Sequence, residues 1–357
     1  MNKTINQPNI KDYFDPKIQE KEIELLFKDV RYTGHQLMVP NDNDYQVIPN
    51  SNDRWALFNR GGEYLLQSNV CLHRQSKLLD GRGNAKFVSC RVHCWNYDKA
   101  GQLRTSPHFR EKLVGELSKV KVSNWNGLLF EGRTPNFDLK SCGVENHINF
   151  DDYFYHSTET TEYGYNWKTF VEVYLENYHV FSMHPGLRKF VTPSDLEWHF
   201  GEDYSVQKVG LGSDLSLSGS ENYRQWQEAV QKQFGEDLPR YGAIWIYIYP
   251  NIMVEWYPHT MAISTIYPVE PQKCVNHVEY YYNKDIYENN PTYYEAIQKV
   301  YSETAAEDEE ACLLLDRGRA SLHLRGENEK GPCDPFLEAG VQKFYEYLHS
   351  RMASENI

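Results

Sequence analysis

The chain has 357 residues, of which 40% are hydrophobic and 24% are charged, and its formal net charge is −13 at pH 7. This length favours two domains or one large domain with an insertion, and the acidic balance argues against nonspecific binding to nucleic acid or to an anionic membrane. The N-terminal residues do not resemble a signal peptide, no stretch approaches the roughly 18 apolar residues of a membrane span, and the seven cysteines show no disulfide pattern, so we expect a cytoplasmic protein.

The first third of the chain is predicted to contain one helix and a small all-β domain. Residues 16–28 have the periodicity of a short amphipathic helix. Residues 32–133 alternate short apolar runs with turn residues, which predicts strands and hairpins. The predicted hairpins join residues 55–59 to 64–70 through Gly61-Gly62, and residues 120–122 to 128–130 near Asn126-Gly127.

The rest of the chain mixes helices with an antiparallel sheet. Four runs typical of strands, separated by Pro, Asn and Gly, predict the sheet at residues 243–282. Helices are predicted at residues 166–182, 221–234 and 292–317. The sequence therefore predicts an α+β fold in three parts. These are an N-terminal segment packing on the larger domain (residues 1–31), the small all-β domain (residues 32–133) and the larger domain (residues 134–357).

Four residues in the all-β segment form a metal-binding pattern. Cys71 and His73 form a C-x-H pair, and Cys90 and His93 form a C-x-x-H pair after 16 intervening residues. Two thiolates and two imidazoles can hold a [2Fe–2S] cluster with one pair on each iron, and neutral imidazoles raise its reduction potential above that of an all-cysteine cluster. Structural zinc sites, the main alternative, usually use C-x₂₋₄-C pairs. We therefore expect a [2Fe–2S] cluster.

The residues around these four ligands resemble those of the Rieske proteins. That family commonly has Arg-Gly after the C-x-H pair and reads C-P-x-H-G-W-x-Y/F in its second loop. Arg74, Trp95 and Tyr97 match this pattern. The positions that depart from it are Gln75, Arg91 and Cys94. Because hydrogen bonds to the sulfurs tune such a cluster, the departures bear on its potential and leave its ligands in place.

The resemblance is to the lower-potential branch of that family, the ferredoxins and oxygenases. Respiratory-chain Rieske proteins carry two further cysteines, joined as a disulfide, at the positions where this chain has Ser76 and Val92. A Rieske ferredoxin is only about as long as residues 32–133. The remaining residues therefore need a further function.

A second metal-binding pattern lies near the start of the larger domain. Glu176, His179 and His184 form E-x-x-H-x₄-H. Two histidines and one carboxylate are the usual ligand set of a non-heme Fe(II) oxygenase. On a regular helix Glu176 and His179 would share one face, whereas His179 and His184 would lie about 140° apart, so both reach one metal only if the helix is interrupted between them. Taken alone, this segment is equally consistent with two structural histidines on a helix.

Together the two patterns resemble the α subunit of the Rieske non-heme iron oxygenases over essentially the whole chain. The resemblance implies a Rieske domain followed by a helix-grip-like catalytic domain in which His179 and His184 bind a mononuclear Fe(II). It also implies that Glu176 does not bind the iron but links an iron histidine, by hydrogen bonds, to a Rieske histidine of the neighbouring subunit. Most members of the family have Asp at this position, and Glu is one methylene longer.

The family places its third iron ligand late in the chain, as an Asp in an acidic pair on a helix. Asp308 is the candidate in this chain, and its acidic neighbours Glu307, Glu309 and Glu310 are alternatives. Glu172 lies one helical turn before Glu176 and is interpreted either as a residue close to the iron ligands or as a charge on the helix surface.

The family mechanism also implies partners. O₂ activation needs two electrons, which the cluster passes one at a time to the iron beside a small organic substrate. The chain has no G-x-G-x-x-G motif and no plant-type ferredoxin motif, so a separate NAD(P)H-dependent flavin reductase, with or without a ferredoxin, is implied. The family assembles as a head-to-tail homotrimer, in which His73 or His93 of one subunit faces Glu176 of the next.

We therefore expect a terminal oxygenase component that hydroxylates, dihydroxylates, or oxidatively demethylates or cleaves a small organic substrate. The family acts on aromatic rings, quaternary ammonium compounds and methoxy compounds, and the sequence does not select among them. Aromatic residues of the predicted sheet, such as Trp245 and Tyr257, suit an aromatic ring, a cation or ordinary packing. Two other functions stay open: an electron-transfer Rieske protein with an inactive second site, and a noncatalytic binding or regulatory protein.

Overall fold

The structure of the protein, a computed structural model, describes residues 7–28, 30–49, 52–212, 215 and 219–353. These residues divide into two compact units. One contains the described residues of 1–28 and 136–357, and the other contains those of 29–135. The predicted N-terminal segment, residues 1–31, therefore lies partly outside the described residues.

The smaller unit consists of short antiparallel strands. They are β1 (Val30–His35), β2 (Asp44–Val47), β3 (Trp55–Arg60), β4 (Glu63–Ser68), β5 (Arg82–Asn84), β6 (Val88–Ser89), β7 (Asn96–Tyr97), β8 (Leu103–Thr105), β9 (Lys119–Lys121), β10 (Ser123–Trp125) and β11 (Leu128–Gly132). Their sheets have the strand orders β1-β11-β10, β5-β2-β3-β4-β9 and β6-β7-β8. Gly61 and Gly62 connect β3 to β4 with φ values of 69° and 91°, a conformation that glycine adopts without strain.

One of the two predicted hairpins is confirmed and the other is wrong in its first strand. In the hairpin of β3 and β4, Trp55 pairs with Ser68 and Arg60 pairs with Glu63. Strand β9, however, pairs with β4, and it is the next strand, β10, that forms the hairpin with β11. Strands β9 and β10 are adjacent in the chain and both carry exposed side chains, so alternation alone does not assign their partners.

The larger unit packs helices against one antiparallel sheet. Its helices are α1 (Pro16–Leu26), α2 (Trp167–Tyr174), α3 (Val180–Met183), α4 (Leu187–Phe190), α5 (Glu221–Phe234), α6 (Lys284–Asn289), α7 (Pro291–Leu324) and α8 (Ala339–Ala353). Its strands are β12 (Tyr153–Tyr163), β13 (Val191–Phe200), β14 (Tyr204–Leu211), β15 (Tyr241–Ile248), β16 (Ile252–Tyr257), β17 (Thr260–Glu270) and β18 (Lys273–Asn283), in the order β12-β18-β17-β16-β15-β14-β13. The α+β class is confirmed. None of the described helices has the length and the apolar character that crossing a bilayer requires.

The central strands of the sheet are easier to predict than its edges. Strands β15 to β18 and helices α1, α5 and α7 lie where the sequence predicts them. Strands β12 to β14 and helix α8 are not predicted by the sequence pattern. Strands β12 and β13 form the two edges of the sheet, and each has exposed positions, so they lack the apolar runs of the central strands.

The helix predicted at residues 166–182 is broken into α2 and α3. Asn166 caps α2, since its side chain accepts a hydrogen bond from the amide of Lys168, and α2 ends before Leu175. Glu176 therefore does not lie on a helix, and the prediction that it shares a helix face with His179 is wrong. His179 and His184 are the N-cap and C-cap residues of α3, so a single helical turn separates them and no interruption between them is needed.

Buried ion pairs hold α2 against its neighbours. Lys168 Nζ lies 2.7 Å from Glu22 Oε1 on α1, and both side chains are almost completely buried. Arg319 on α7 donates to Glu172 at 2.5 Å, and the Tyr13 hydroxyl donates to the same carboxylate. Breaking a buried ion pair costs about 3–5 kcal/mol because the remaining charge loses its partner. Glu172 thus belongs to a structural network and is not a charge on the helix surface.

Candidate active site

The two loops that carry the cysteine and histidine pairs have the same backbone shape. In the first loop the amide of Cys71 donates to the carbonyl of Ser76 at 2.9 Å. In the second the amide of Cys90 donates to the carbonyl of Trp95 at 2.8 Å. Each loop thus folds back on its own cysteine.

Two of the departures from the Rieske pattern lie at strained positions of these loops. Gln75 and Cys94 stand where the family has glycine, and their φ values are 55° and 56°. Their amides donate to the carbonyls of Cys71 and Cys90, at 3.1 and 2.9 Å, which closes each turn. This conformation costs a residue with a Cβ roughly 1–2 kcal/mol relative to glycine. Both turns therefore form in this chain although neither position is a glycine.

The four side chains fit a [2Fe–2S] cluster. Cys71 and Cys90 are 1% and 2% exposed, whereas the rings of His73 and His93 lie nearer the surface with their centroids 4.5 Å apart. His73 Nδ1 is buried and has no hydrogen-bond partner among the described residues, as expected of an atom that ligates a metal. Although burial raises the pKa of Cys90, hydrogen bonds from the amides of His93 and Val92 lower it overall, which favours the thiolate.

Aromatic side chains surround this cluster site. The indole ring of Trp95 stacks on His73 at 4.8 Å with an angle of 4° between the planes. The Tyr97 hydroxyl accepts from the amide of Leu72 at 3.1 Å and lies 3.2 Å from Cys71 Sγ, to which it donates. Such a hydrogen bond stabilises negative charge on the sulfur.

In the larger unit, His179, His184 and Asp308 converge on one position. His179 Nε2 lies 3.0 Å from His184 Nε2 and 3.2 Å from Asp308 Oδ1, and His184 Nε2 lies 2.9 Å from the same carboxylate oxygen. The two histidines come from the ends of α3, and Asp308 comes from α7. Two imidazole nitrogens and one carboxylate oxygen at this spacing fit a non-heme Fe(II), and they leave one side of the metal position open to the cavity.

The acidic neighbours of Asp308 point elsewhere. Glu307 Oε2 lies 2.7 Å from His184 Nδ1, on the ring atom that faces away from the metal position. The Tyr223 hydroxyl donates to the same oxygen of Glu307 at 3.2 Å. Glu309 lines the cavity and Glu310 is exposed. Glu307 is therefore placed to orient an imidazole, a function that the sequence pattern does not separate from direct ligation.

Glu176 makes a comparable contact with the other histidine. Its Oε1 lies 2.5 Å from His179 Nδ1, and its Oε2 accepts from the amides of Tyr178 and His179, the second at 3.0 Å. The carboxylate thus holds the turn that leads into α3 and the His179 ring at the same time. It lies on the ring atom opposite the metal position.

The charges at this position call for a cation. Burial alone would lower the pKa values of His179 and His184, but the hydrogen bonds that the imidazoles donate to Asp308, and to Glu176 and Glu307 respectively, raise them to about 10 and about 9. Burial alone would raise the pKa of Asp308, and the two imidazoles hold it well below its usual range. A positive charge on the imidazoles is thus stabilised by the carboxylates, and a divalent metal bound to Nε2 and Oδ1 would supply that charge in place of protons.

A cavity of about 300 Å³ opens beside the converging atoms. One wall is a face of the sheet and the other is formed by α2, α3 and α7. No lysine or arginine is found among the described lining residues. In addition to Glu176 and Asp308, the acidic residues that line it are Glu159, Glu255 and Glu309. The cavity is therefore strongly anionic, which the sequence did not indicate because these residues are far apart in the chain.

Comparisons with known proteins identify the family. Residues 24–125 match the Rieske [2Fe-2S] domain, and residues 150–354 match the ring hydroxylating alpha subunit (catalytic domain). A putrescine 2-hydroxylase of Ralstonia nicotianae is 43% identical over 95% of this chain and 94% of its own, and one of Bordetella bronchiseptica is 38% identical over 95% and 83%. The crystal structure of a quaternary ammonium Rieske monooxygenase, 20% identical, has a TM-score of 0.73 and covers 96% of this chain and 94% of that one.

The chain belongs to the catalytic α subunits of the Rieske non-heme iron oxygenases. It is therefore a terminal oxygenase component, with a Rieske [2Fe–2S] cluster and a mononuclear Fe(II) as cofactors and with O₂ and an electron donor as partners. The resemblance stated from the sequence is confirmed. The electron-transfer and regulatory alternatives receive no support.

We predict that Tyr97→Phe lowers the reduction potential of the cluster. The variant loses the hydroxyl that donates to Cys71 Sγ, which destabilises the more negative reduced state. A loss of about 1 kcal/mol corresponds to a decrease on the order of 50 mV for one electron, measured by a redox titration. Tyr64→Phe, on β4, is the matched control. Equal potentials in the two variants would contradict the prediction.

We predict that Glu307→Gln weakens Fe(II) binding in the larger unit about tenfold, because the partner of a ligating imidazole loses its charge. Competition with a chelator, followed by the iron content, measures the effect. The cluster spectrum should not change. Glu310→Gln, which alters an exposed carboxylate on the same helix, serves as the control. The same Fe(II) affinity in both variants would show that Glu307 does not support His184.

Proposed function

We propose that this Rieske oxygenase α subunit hydroxylates an aliphatic primary diamine of the putrescine class. The observation that carries the proposal is the cavity, which is lined by Glu159, Glu255 and Glu309 and by no described lysine or arginine. Such a cavity attracts a dication and repels an anion. Two relatives that span almost the whole chain carry the name putrescine 2-hydroxylase. An aromatic hydrocarbon, one of the substrate classes on which the family acts, would leave the carboxylates without a counter-ion.

The proposal assigns roles to the site residues. Cys71, His73, Cys90 and His93 hold the cluster, and His179, His184 and Asp308 hold the Fe(II). When bound, the two metal groups supply electron transfer and O₂ activation. One O₂, two electrons, two protons and the C–H bond of the substrate give an alcohol and one water. The residues of the chain orient the imidazoles through Glu176 and Glu307, position the amine and exclude bulk water.

Electrons are proposed to pass between subunits of a homotrimer. The support is the position of Glu176, whose carboxylate lies 2.5 Å from His179 Nδ1 and is partly exposed. The neighbouring side chains Tyr178 and Phe181 are 60% and 42% exposed, as expected of residues that a second subunit covers. In this arrangement Glu176 connects His179 to a Rieske histidine of the next subunit. A separate NAD(P)H-dependent flavin reductase or ferredoxin supplies the electrons, and the unpaired cysteines favour a cytoplasmic location.

We predict O₂-dependent conversion of putrescine to a hydroxyputrescine. The holoenzyme, supplied with NADH and a surrogate reductase under labelled O₂, should give a product that is heavier by one labelled oxygen atom, detected by mass spectrometry. His179→Ala should abolish the product. In electron paramagnetic resonance spectra it should also remove the high-spin signal that nitric oxide gives with an open Fe(II) site, and it should leave the signal of the reduced cluster unchanged. Turnover of naphthalene without turnover of putrescine would overturn the proposal.

We predict that two inactive variants recover activity when they are assembled together. Cys71→Ser removes the cluster, and His179→Ala removes the mononuclear iron. In a mixed trimer an intact cluster of one subunit lies beside an intact iron site of another, so coexpression should restore part of the activity. Coexpression of His179→Ala with His184→Ala is the control and should restore none. Verified mixed trimers without activity would show that electrons pass within one chain.

A further inference from the structure

Glu255 is a buried carboxylate in the wall of the cavity. It lies on β16 and is 4% exposed. The Tyr257 hydroxyl donates to its Oε2 at 2.9 Å, and the Tyr301 hydroxyl donates to its Oε1 at 3.2 Å. Trp245 Nε1, which can only donate, bonds to the Tyr257 hydroxyl at 3.0 Å and so directs the tyrosine proton to Glu255. A carboxyl group that accepts hydrogen bonds at both oxygens is suited to be ionised.

No lysine or arginine among the described residues pairs with this carboxylate. Within the described residues, no lysine or arginine lines the cavity, and the residues that bond Glu255 are tyrosines. Burial raises the pKa of Glu255 to about 7 despite these two donors. In the same unit the buried Glu22 and Glu172 are paired with Lys168 and Arg319. Among the described residues Glu255 therefore differs from Glu22 and Glu172 in having no lysine or arginine partner, and burying such a charge is costly unless a ligand provides a counter-ion.

A second carboxylate lies at the exposed side of the cavity. Glu159 on β12 is exposed to solvent and accepts from the Tyr280 hydroxyl and from Gln298 Nε2, each at 3.2 Å. The ring of Tyr280 packs against that of Tyr301 with the centroids 5.4 Å apart. Because Tyr301 bonds Glu255 and Tyr280 bonds Glu159, two adjacent tyrosines connect the carboxylates along the cavity wall. The spacing between the acids is thus filled by aromatic surface.

We propose that Glu255 binds one ammonium group of the substrate at the buried end of the cavity and that Glu159 binds the second ammonium group at its exposed end. This inference rests on the proposed function and names the residues that select a diamine. The tyrosine rings between the carboxylates cover the methylene chain and attract the ammonium groups through their faces. A monoamine pairs with Glu255 and leaves Glu159 unused.

The test compares a diamine with a monoamine on the holoenzyme. For each variant we would measure the KM of putrescine in turnover. Calorimetry on the anaerobic protein would give the dissociation constant of 1-aminobutane. Glu255→Gln should raise the KM of putrescine and the dissociation constant of 1-aminobutane about 30-fold or more, since a buried charge-assisted contact is lost. Glu159→Gln should raise the KM of putrescine about two- to fivefold, as expected when an exposed ion pair is lost. It should leave the dissociation constant of 1-aminobutane unchanged.

Two controls make the same Glu→Gln change at glutamates that do not line the cavity, one buried and one exposed. Glu279→Gln alters a buried glutamate that accepts from the Tyr281 hydroxyl at 2.7 Å, and Glu162→Gln alters an exposed glutamate on β12. Neither residue lines the cavity, so both controls should keep the wild-type constants for both amines. If Glu255→Gln does not fold with its metals, Tyr301→Phe replaces it, since it removes one donor to Glu255 and keeps the ring. Tyr301→Phe should raise the KM of putrescine and the dissociation constant of 1-aminobutane about three- to tenfold.

The outcomes separate this inference from the proposed function. Putrescine turnover by the wild-type protein, with unchanged constants in Glu255→Gln or its replacement, would overturn the inference and leave the proposed function standing. Equal loss in Glu255→Gln and Glu279→Gln would also overturn it, since it would show a general packing effect. A wild-type protein that binds neither amine would overturn both proposals.

Discussion

The site depends on one geometric constraint: three donor atoms, two from α3 and one from α7, must point at one position. His179 Nε2, His184 Nε2 and Asp308 Oδ1 approach one another to 2.9–3.2 Å, although Asp308 lies 129 residues after His179. Such closeness holds only if α3 and α7 are fixed with respect to each other. The buried pairs at Lys168 and Glu172 provide part of this rigidity, because they lock α2, which precedes α3, to α1 and α7.

In the larger unit, buried carboxylates away from the cavity and carboxylates that line the cavity have different partners. Where carboxylates serve the scaffold, the chain supplies its own buried cations, as it does with Lys168 and Arg319. Around the cavity no described lysine or arginine is supplied, and carboxylates accumulate. Like charges in a region of low dielectric repel each other strongly, so this surplus calls for cations from outside the chain. Bound Fe(II) would balance the acids around the histidines, and the proposed diamine would balance the rest.

The sequence indicates the candidate ligands more directly than it indicates the residues that contact them. The spacing of Cys71 and Cys90 with their histidines is a local pattern, and so is E-x-x-H-x₄-H, so both are readable without the fold. The roles of Glu307 and Glu255 depend on which face of a helix or strand meets the cavity and on partners far away in the chain. In the sequence Glu255 is only one polar residue among the apolar residues of β16. The aromatic residues of the sheet divide in the same way: Trp245 and Tyr257 line the cavity, whereas Tyr247 and Tyr249 pack in the core.

The break between α2 and α3 explains why a glutamate can stand where most of the family has aspartate. Because Glu176 lies in an irregular segment, one of its oxygens accepts from the amides of Tyr178 and His179 while the other reaches His179 Nδ1 at 2.5 Å. A side chain one methylene shorter would need a backbone nearer to the ring to make both contacts. The two backbone contacts fix the carboxylate, and Oε1 keeps a second lone pair that is free to accept a further hydrogen bond. The longer side chain thus holds both the turn before α3 and the ring of His179.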